Sequence, residues 1–121
     1  MTTYFTKEHE WITVEGDKAT VGITAHAAEQ LGEIVFVELK EPGDDFAQGD
    51  ELGVIESVKA ASEIYAPVTG QIVEANSGVV DAPNMLNEAP EEGAWLYKIT
   101  VAKADELSEL MDAAGYKAFI A

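Results

Sequence analysis

Turn-forming residues recur at short intervals along most of this chain, and they limit which secondary structure can form between them. Glu15-Gly16-Asp17-Lys18, Pro42-Gly43-Asp44-Asp45 and Pro67-Val68-Thr69-Gly70 each have the composition of a tight turn. The segments between these turns are short and rich in β-branched and aromatic residues, which favour strands. The spacing therefore predicts a mostly β chain, folded as a flattened β-barrel or sandwich with short helices.

The pattern of apolar residues places the individual elements. Thr24 and Gly32 predict the start and the left-handed end of a brief helix, whereas the stretch from Asn76 to Pro90 predicts only a long connection. A helical period begins at Asp105, which predicts a C-terminal helix. The predicted strands are 11–14, 19–23, 33–39, 51–57, 62–66, 71–75 and 95–101. Strand 33–39 is apolar on nearly both faces, so we expect it to be central in its sheet and Phe36 to lie in the core.

The length of the chain limits its domain organisation. A chain of 121 residues predicts a single domain over residues 1–121, with a β core at 1–103 and a C-terminal helical extension at 104–121. We expect this domain to be a monomer.

The charge balance excludes several classes of partner. The seven basic residues are all lysine and face 23 Asp and Glu, giving a formal net charge of −16. Such a chain has no basic surface for nucleic acid or for an anionic membrane. Cysteine is absent from the sequence, which excludes disulfides and thiolate metal sites. We see no export signal and expect a cytoplasmic protein, although a mitochondrial-matrix protein without its presequence would look the same.

Lys59 is the most informative residue of the sequence. It is the only basic residue between Lys40 and Lys98, an interval that contains twelve acids, and it lies between two predicted strands. A lysine at such a tip is exposed. Nearby carboxylates favour its protonated form, which argues against catalysis by the free amine. An ordinary solvated lysine and an attachment point for a prosthetic group both remain open.

The chain resembles the H proteins of the glycine cleavage system, which are lipoyl carriers of the biotinyl/lipoyl-domain families. The matching segments occur in order and at the spacing of that family. They include His9-Glu10-Trp11, Val21-Gly22-Ile23-Thr24, Leu31-Gly32-Glu33-Ile34, Gly53-Val54-Ile55-Glu56-Ser57-Val58-Lys59-Ala60, Ile64-Tyr65-Ala66-Pro67, Leu86-Asn87 and Trp95. Biotin carriers usually have Met on both sides of the lysine, so Val58-Lys59-Ala60 fits the H proteins better.

The resemblance implies a barrel-sandwich hybrid fold and a carrier, not an enzyme. It also implies that one lipoate is bound covalently to Lys59 as an amide. By the same resemblance, we expect the arm to take the aminomethyl group of glycine from a pyridoxal-phosphate glycine decarboxylase to a tetrahydrofolate-dependent aminomethyltransferase. An FAD-dependent dihydrolipoyl dehydrogenase then reoxidises the dithiol, and a lipoate ligase or lipoyl transferase installs the group.

The resemblance also implies roles for other residues. Glu10, Glu63 and His9 are candidates for contact with the loaded arm, and Glu56 and Gly70 are candidates for recognition during lipoylation. Each of them has an ordinary structural interpretation as well: surface acids, a structural histidine and a glycine needed for its backbone angles. No catalytic residue and no metal ligand is expected.

Two other functions stay open at this point. One is a carrier of the same architecture that relays lipoate to other enzymes. The other is an unmodified acidic β adaptor that binds partners through its surface, which would show no mass increment on Lys59.

Overall fold

Most of the chain is organised as two antiparallel sheets. The structure, a computed structural model, describes residues 2–91 and 93–121, which contain nine strands. They are β1 (Thr2–Phe5), β2 (Glu10–Glu15), β3 (Lys18–Ile23), β4 (Ile34–Leu39), β5 (Asp45–Phe46), β6 (Glu51–Ser57), β7 (Ala61–Tyr65), β8 (Gly70–Ala75) and β9 (Tyr97–Val101). The larger sheet has the order β1-β2-β3-β9-β8-β5 and the smaller the order β4-β6-β7. The predicted mostly β sandwich is confirmed, as two open sheets that do not close into a barrel.

The core lies between the two sheets. Ile12, Val21, Ile72 and Ile99 of the larger sheet share one buried cluster with residues of the smaller sheet such as Ile64. Buried and exposed side chains alternate at the start of β8 and β9, which is the pattern of a sheet with one solvated face, whereas Glu10, Trp11 and Ile12 at the start of β2 are all buried. Burial of this apolar surface is the main stabilising contribution to the fold.

Strand β4 differs from its predicted position. It is an edge strand, with β6 between it and β7. A β-bulge between Ile34 and Phe36 shifts its register, so that Ile34 and Val37 are both buried while Val35 and Phe36 are exposed. The predictions of a central strand and of a core position for Phe36 are therefore wrong. The bulge adds one residue and breaks the strict alternation on which both predictions rested.

The helix α1 (Ala25–Leu31) begins as predicted and ends differently. The Thr24 side chain accepts a hydrogen bond from the Ala27 N–H at 3.2 Å, the expected capping interaction. Gly32 has φ 79° and ψ −147°, a positive φ outside the left-handed helical region. A residue with a side chain adopts these angles only with strain.

The connection from residue 76 to residue 90 contains two short helices that the sequence did not predict. They are α2 (Ser77–Asp81) and α3 (Met85–Glu88). The Asn76 side chain accepts from the Gly78 N–H at 3.1 Å and caps α2, and Val79 and Leu86 anchor the two helices in the core. Helices of four or five residues are too short to show a clear hydrophobic period.

The C-terminal segment is helical in two pieces. A 3-10 helix spans Ala104–Glu109, and α4 spans Ala113–Ile120. Between them, Met111 pairs with Phe5 at the edge of β1 through backbone hydrogen bonds of 2.8 and 2.9 Å. The Asp112 side chain then caps α4 by accepting from the Gly115 N–H at 2.7 Å. The uninterrupted helical period predicted from Asp105 is thus broken by a strand-like contact.

Candidate functional site

Lys59 occupies the tight turn between β6 and β7, and that turn is held by its own hydrogen bonds. The Ser57 N–H donates to the Ala60 carbonyl at 2.7 Å. The Ser57 hydroxyl oxygen accepts from the Ala60 N–H at 3.0 Å and from the Lys59 N–H at 3.3 Å. Lys59 itself is exposed. The turn therefore fixes the backbone of Lys59 and leaves its side chain in solvent.

A second set of contacts supports the turn from the side of β4. The Val58 N–H donates to the Glu33 carbonyl at 3.0 Å. The Asn87 side chain holds the same segment, because its amide nitrogen donates to the Gly32 carbonyl at 2.7 Å and its oxygen accepts from the Ile34 N–H at 2.9 Å. The Lys59 side chain passes close to Gly32, since a Cβ on that glycine would lie 3.1 Å from Lys59 Cε. Gly32 thus leaves room for the lysine stem.

A cleft opens at the end of β7 that is remote from the lysine turn. It has a volume of about 410 Å³ and is lined by residues 5–8, Glu10, 48–49, 65–67 and 109–111. Its wall combines apolar side chains such as Leu110 and Met111 with the carboxylates of Glu8 and Glu10. Such a mixed lining suits an apolar chain that ends in a cation.

Glu10 is the buried acid of this cleft, with only 2% of its surface exposed. Its Oε1 accepts from the Thr6 hydroxyl at 2.7 Å and its Oε2 from the Tyr65 N–H at 3.1 Å. Burial raises the pKa of Glu10 from 4.5 to about 7, and the two hydrogen bonds oppose that rise without cancelling it. The carboxyl group is therefore close to its titration point near neutral pH.

Glu63 is exposed and lies between Lys59 and the cleft. It is on β7, where its carboxylate accepts from the Tyr65 hydroxyl at 2.5 Å. That hydrogen bond raises the pKa of the Tyr65 hydroxyl, because the carboxylate favours the protonated phenol. Tyr65 therefore contacts both predicted acids, Glu63 through its side chain and Glu10 through its backbone.

The spacing along β7 relates these groups to Lys59. At about 3.3 Å per residue, the backbone from Lys59 to Tyr65 spans at most about 20 Å, and to Glu63 at most about 13 Å. A lysine extended by an acyl chain of lipoyl length reaches on the order of 14 Å from Cα. Glu63 is within that reach, whereas the strand length allows Tyr65, whose N–H binds Glu10, to lie up to about 6 Å beyond it.

Comparison with known proteins identifies the family of this chain. The glycine cleavage H-protein family model matches residues 3–121. The chain belongs to the glycine cleavage H-protein family. The members of this family are the lipoyl carriers of the glycine cleavage system.

Individual relatives agree with the family match over nearly the full chain. The glycine cleavage system H protein of Dinoroseobacter shibae is 63% identical over 119 residues, covering 98% of each chain. That of Phenylobacterium zucineum is 57% identical and covers 97% of each chain. The crystal structure of a glycine cleavage system H protein from Mycobacterium marinum superposes with a TM-score of 0.90 at 37% identity, covering 98% of this chain and 96% of that one.

His9, another predicted site residue, lies outside the cleft that contains Glu10. Its Nδ1 lies 2.8 Å from the Tyr116 hydroxyl, which in turn lies 2.7 Å from Thr24 Oγ1. Its ring packs against His26 and Phe119 at centroid distances of 4.8 and 5.9 Å. Burial and His26 lower the pKa of His9. Among the described residues, His9 precedes β2 and contacts α1 and α4, and it does not line the cleft.

Glu56 and Gly70 lie in different sheets. Glu56 is exposed on β6, opposite Phe36 of β4 and Ala61 of β7. Gly70 is buried on β8, where an added Cβ would lie 1.9 Å from the Thr100 carbonyl oxygen. Glycine is needed there because two backbones approach closely, and its φ is not positive.

The sequence did not reveal the residues that support the site. Tyr65 and Thr6 bind the Glu10 carboxyl group, and Asn87 fixes Gly32 beneath the lysine stem. The only feature of the sequence that pointed to Tyr65, Gly32 and Asn87 was that they fall in segments matching the family.

No group of three or more His, Asp or Glu residues in the described part of the chain could hold a metal ion. Within the same residues, no helix is both long and apolar enough to cross a membrane.

Proposed function

We propose that Lys59 carries one lipoate in amide linkage and that this protein acts as a carrier, not as an enzyme. The observation that carries the proposal is the exposed Lys59 amine on a turn braced by Ser57 and Asn87, in a member of a lipoyl-carrier family. The site fits an acyl group, because the amine is accessible and the nearby cleft offers apolar wall and carboxylates. When attached, the dithiolane supplies a disulfide that can be reduced and can carry an aminomethyl group.

The chain's own residues position and protect the arm. The turn fixes its root, so the flexible part begins at Lys59 Cβ. Glu63 supplies an exposed carboxylate within reach, and Glu10 a buried one at the end of the cleft. A carboxylate stabilises an ammonium group through a charge-assisted hydrogen bond, which fits the cationic end of a loaded arm.

The carrier role implies a set of partner enzymes. We infer that the arm visits a pyridoxal-phosphate glycine decarboxylase, a tetrahydrofolate-dependent aminomethyltransferase and an FAD-dependent dihydrolipoyl dehydrogenase. Tethering raises the effective concentration of the sulfur atoms at each active site. The net charge of −16 favours docking onto basic rims of these enzymes. We place the protein in the cytoplasm, as a monomer.

The proposal is tested by replacing the lysine with the other long basic residue. Lys59→Arg keeps the charge but cannot form the lipoyl amide, so we expect glycine-cleavage turnover to be abolished with an unchanged melting temperature. The matched control is Lys18→Arg, an exposed lysine in the β2–β3 hairpin, which should keep wild-type turnover. Turnover by Lys59→Arg would refute Lys59 as the attachment site.

A further inference from the structure

Tyr65 contacts both acids of the candidate site. Its hydroxyl donates to Glu63 Oε2 at 2.5 Å, and its backbone N–H donates to Glu10 Oε2 at 3.1 Å. Tyr65 also lines the cleft that contains Glu10. One residue therefore joins the exposed acid, the buried acid and the cleft.

Alternation along β7 places Glu63 and Tyr65 on the same face of the smaller sheet. Residues two apart on a strand point to the same side, and Ile64 between them is buried in the core. Glu63 and Tyr65 therefore lie on the outer face of the strand that leads from Lys59 to the cleft. An arm that starts at Lys59 passes Glu63 first, because Glu63 is four residues along the chain and Tyr65 six.

The hydrogen bond from Tyr65 orders the Glu63 carboxylate. An exposed glutamate samples several rotamers unless a partner holds it. The hydroxyl fixes Oε2, whereas Oε1 accepts no hydrogen bond from any residue that the structure describes. The carboxylate in turn raises the pKa of the Tyr65 phenol, so the hydroxyl keeps the proton that it donates.

We propose that Tyr65 is a positioning residue for the loaded arm, which rests on the proposed function. Its hydroxyl holds Oε2 of Glu63 in place, and Glu63 Oε1 then accepts a charge-assisted hydrogen bond from the ammonium group at the end of the arm. Tyr65 acts through Glu63 and not on the reacting atoms.

A carboxylate that is ordered before the arm arrives binds it more strongly. Immobilising a flexible side chain opposes binding, and a carboxylate that is already held avoids that cost. The avoided cost corresponds to about a two- to tenfold longer stay of the ammonium group at Glu63. A purely structural hydrogen bond would instead change the melting temperature and leave the arm unaffected.

The first experiment measures how fast the loaded arm loses its amine. Lipoylated protein is loaded with glycine and a purified glycine decarboxylase, separated from that enzyme, and followed by ammonium release. In this hydrolysis one water converts the S-aminomethyl group to ammonium, formaldehyde and a thiol, so no oxidant or reductant is needed. The variants are Tyr65→Phe, Glu63→Ala and the double variant, and the matched control is Tyr4→Phe. Melting temperature checks that each variant is folded.

Tyr65→Phe should release amine about two- to tenfold faster than wild type at a nearly unchanged melting temperature, and Tyr4→Phe at the wild-type rate. In the Glu63→Ala background the Tyr65 substitution should add no acceleration, because the group that it orders is gone. A wild-type rate in Tyr65→Phe, or equal acceleration in both backgrounds, would overturn the proposal.

A second readout needs no arm. Ultraviolet titration of the unmodified protein, compared with its Tyr65→Phe variant, isolates the Tyr65 phenol. Glu63→Ala should lower the pKa of this phenol, because it removes the carboxylate that favours the protonated form. An unchanged pKa would refute the contact itself. If the titration shows the contact but the wild-type protein accepts no lipoyl group on Lys59, the proposed function fails and with it this role of Tyr65, which separates the two failures.

Discussion

Glu10 Oε2 accepts a hydrogen bond from the backbone N–H of Tyr65 over 3.1 Å. Glu10 begins β2 in the larger sheet and Tyr65 ends β7, the edge strand of the smaller sheet, so this contact joins the two sheets. The buried carboxyl group satisfies a strand-edge N–H that has no partner strand. It also places a titratable group at the inner end of the cleft.

The stability of the protein should depend on pH through Glu10. Burial raises the pKa of Glu10 from 4.5 to about 7, so the folded state binds this proton more tightly than the unfolded chain. The resulting stabilisation is fully present below about pH 4.5 and is lost as pH rises through about 7. It amounts to about 3 kcal/mol. Urea unfolding between pH 4.5 and 8 should show a fall in the free energy of unfolding that Glu10→Gln lacks.

The comparison of the two proteins isolates this contribution. Other carboxylates titrate in both proteins, so only the difference between wild type and Glu10→Gln reports Glu10. A difference that stays constant from pH 4.5 to 8 would show that Glu10 has an ordinary pKa in the folded protein.

The lifetime of the loaded arm should depend on the carboxylates near β7. Glu63→Gln removes the charge and keeps the size of an exposed side chain, so its effect on stability should be small. A charge-assisted hydrogen bond contributes roughly 1.5–3 kcal/mol, so amine release should be about tenfold faster or more. The measurement is the rate of amine release from purified loaded protein without the transferase, for wild type, Glu63→Gln and Glu10→Gln. Equal decay in all three would remove both carboxylates from this role.

Tyr97 provides a second link between the sheets. Its hydroxyl, on β9, donates to the Leu52 carbonyl of β6 and accepts from the Lys40 N–H at 2.9 Å. Burial raises the pKa of this hydroxyl, which stays protonated and able to donate. The Lys40 N–H also donates to the Leu52 carbonyl at 3.2 Å, and this hydrogen bond remains in Tyr97→Phe. We therefore expect the free energy of unfolding to fall by only about 1 kcal/mol.

Urea unfolding of Tyr97→Phe and Tyr4→Phe tests this prediction. Within the described part of the chain the Tyr4 hydroxyl forms no hydrogen bond, so Tyr4→Phe should change the free energy of unfolding by less than about 0.5 kcal/mol. Equal effects of the two substitutions would argue against the link through Tyr97.

The sequence predicted those parts of the fold that local chemistry determines. The β2–β3 hairpin follows from its turn residues, and α1 follows from the Thr24 cap. The bulge at Val35 depends on pairing with β6, so alternation alone gave a wrong position for β4. Strand β5 has only two residues, and the Met111–Phe5 pairing joins residues far apart in sequence, so neither leaves a local pattern.

The sequence predicted the exposure of Lys59 better than the environment of the other candidate residues. A lone lysine among acids, between two strands, predicted an exposed Lys59, and the structure places it so. The burial of Glu10 could not be predicted, because it comes from packing between β2 and the end of β7. The position of His9 against α4 depends in the same way on how the C-terminal segment folds back.

The most direct test of the central claim is site-resolved mass spectrometry of the protein purified from its native cells. The account predicts a mass increment of one lipoyl group, located on the peptide that contains Lys59 and absent from the Lys59→Arg variant. An unmodified Lys59 in protein that supports glycine cleavage, or a lipoyl increment on any other residue, would contradict it.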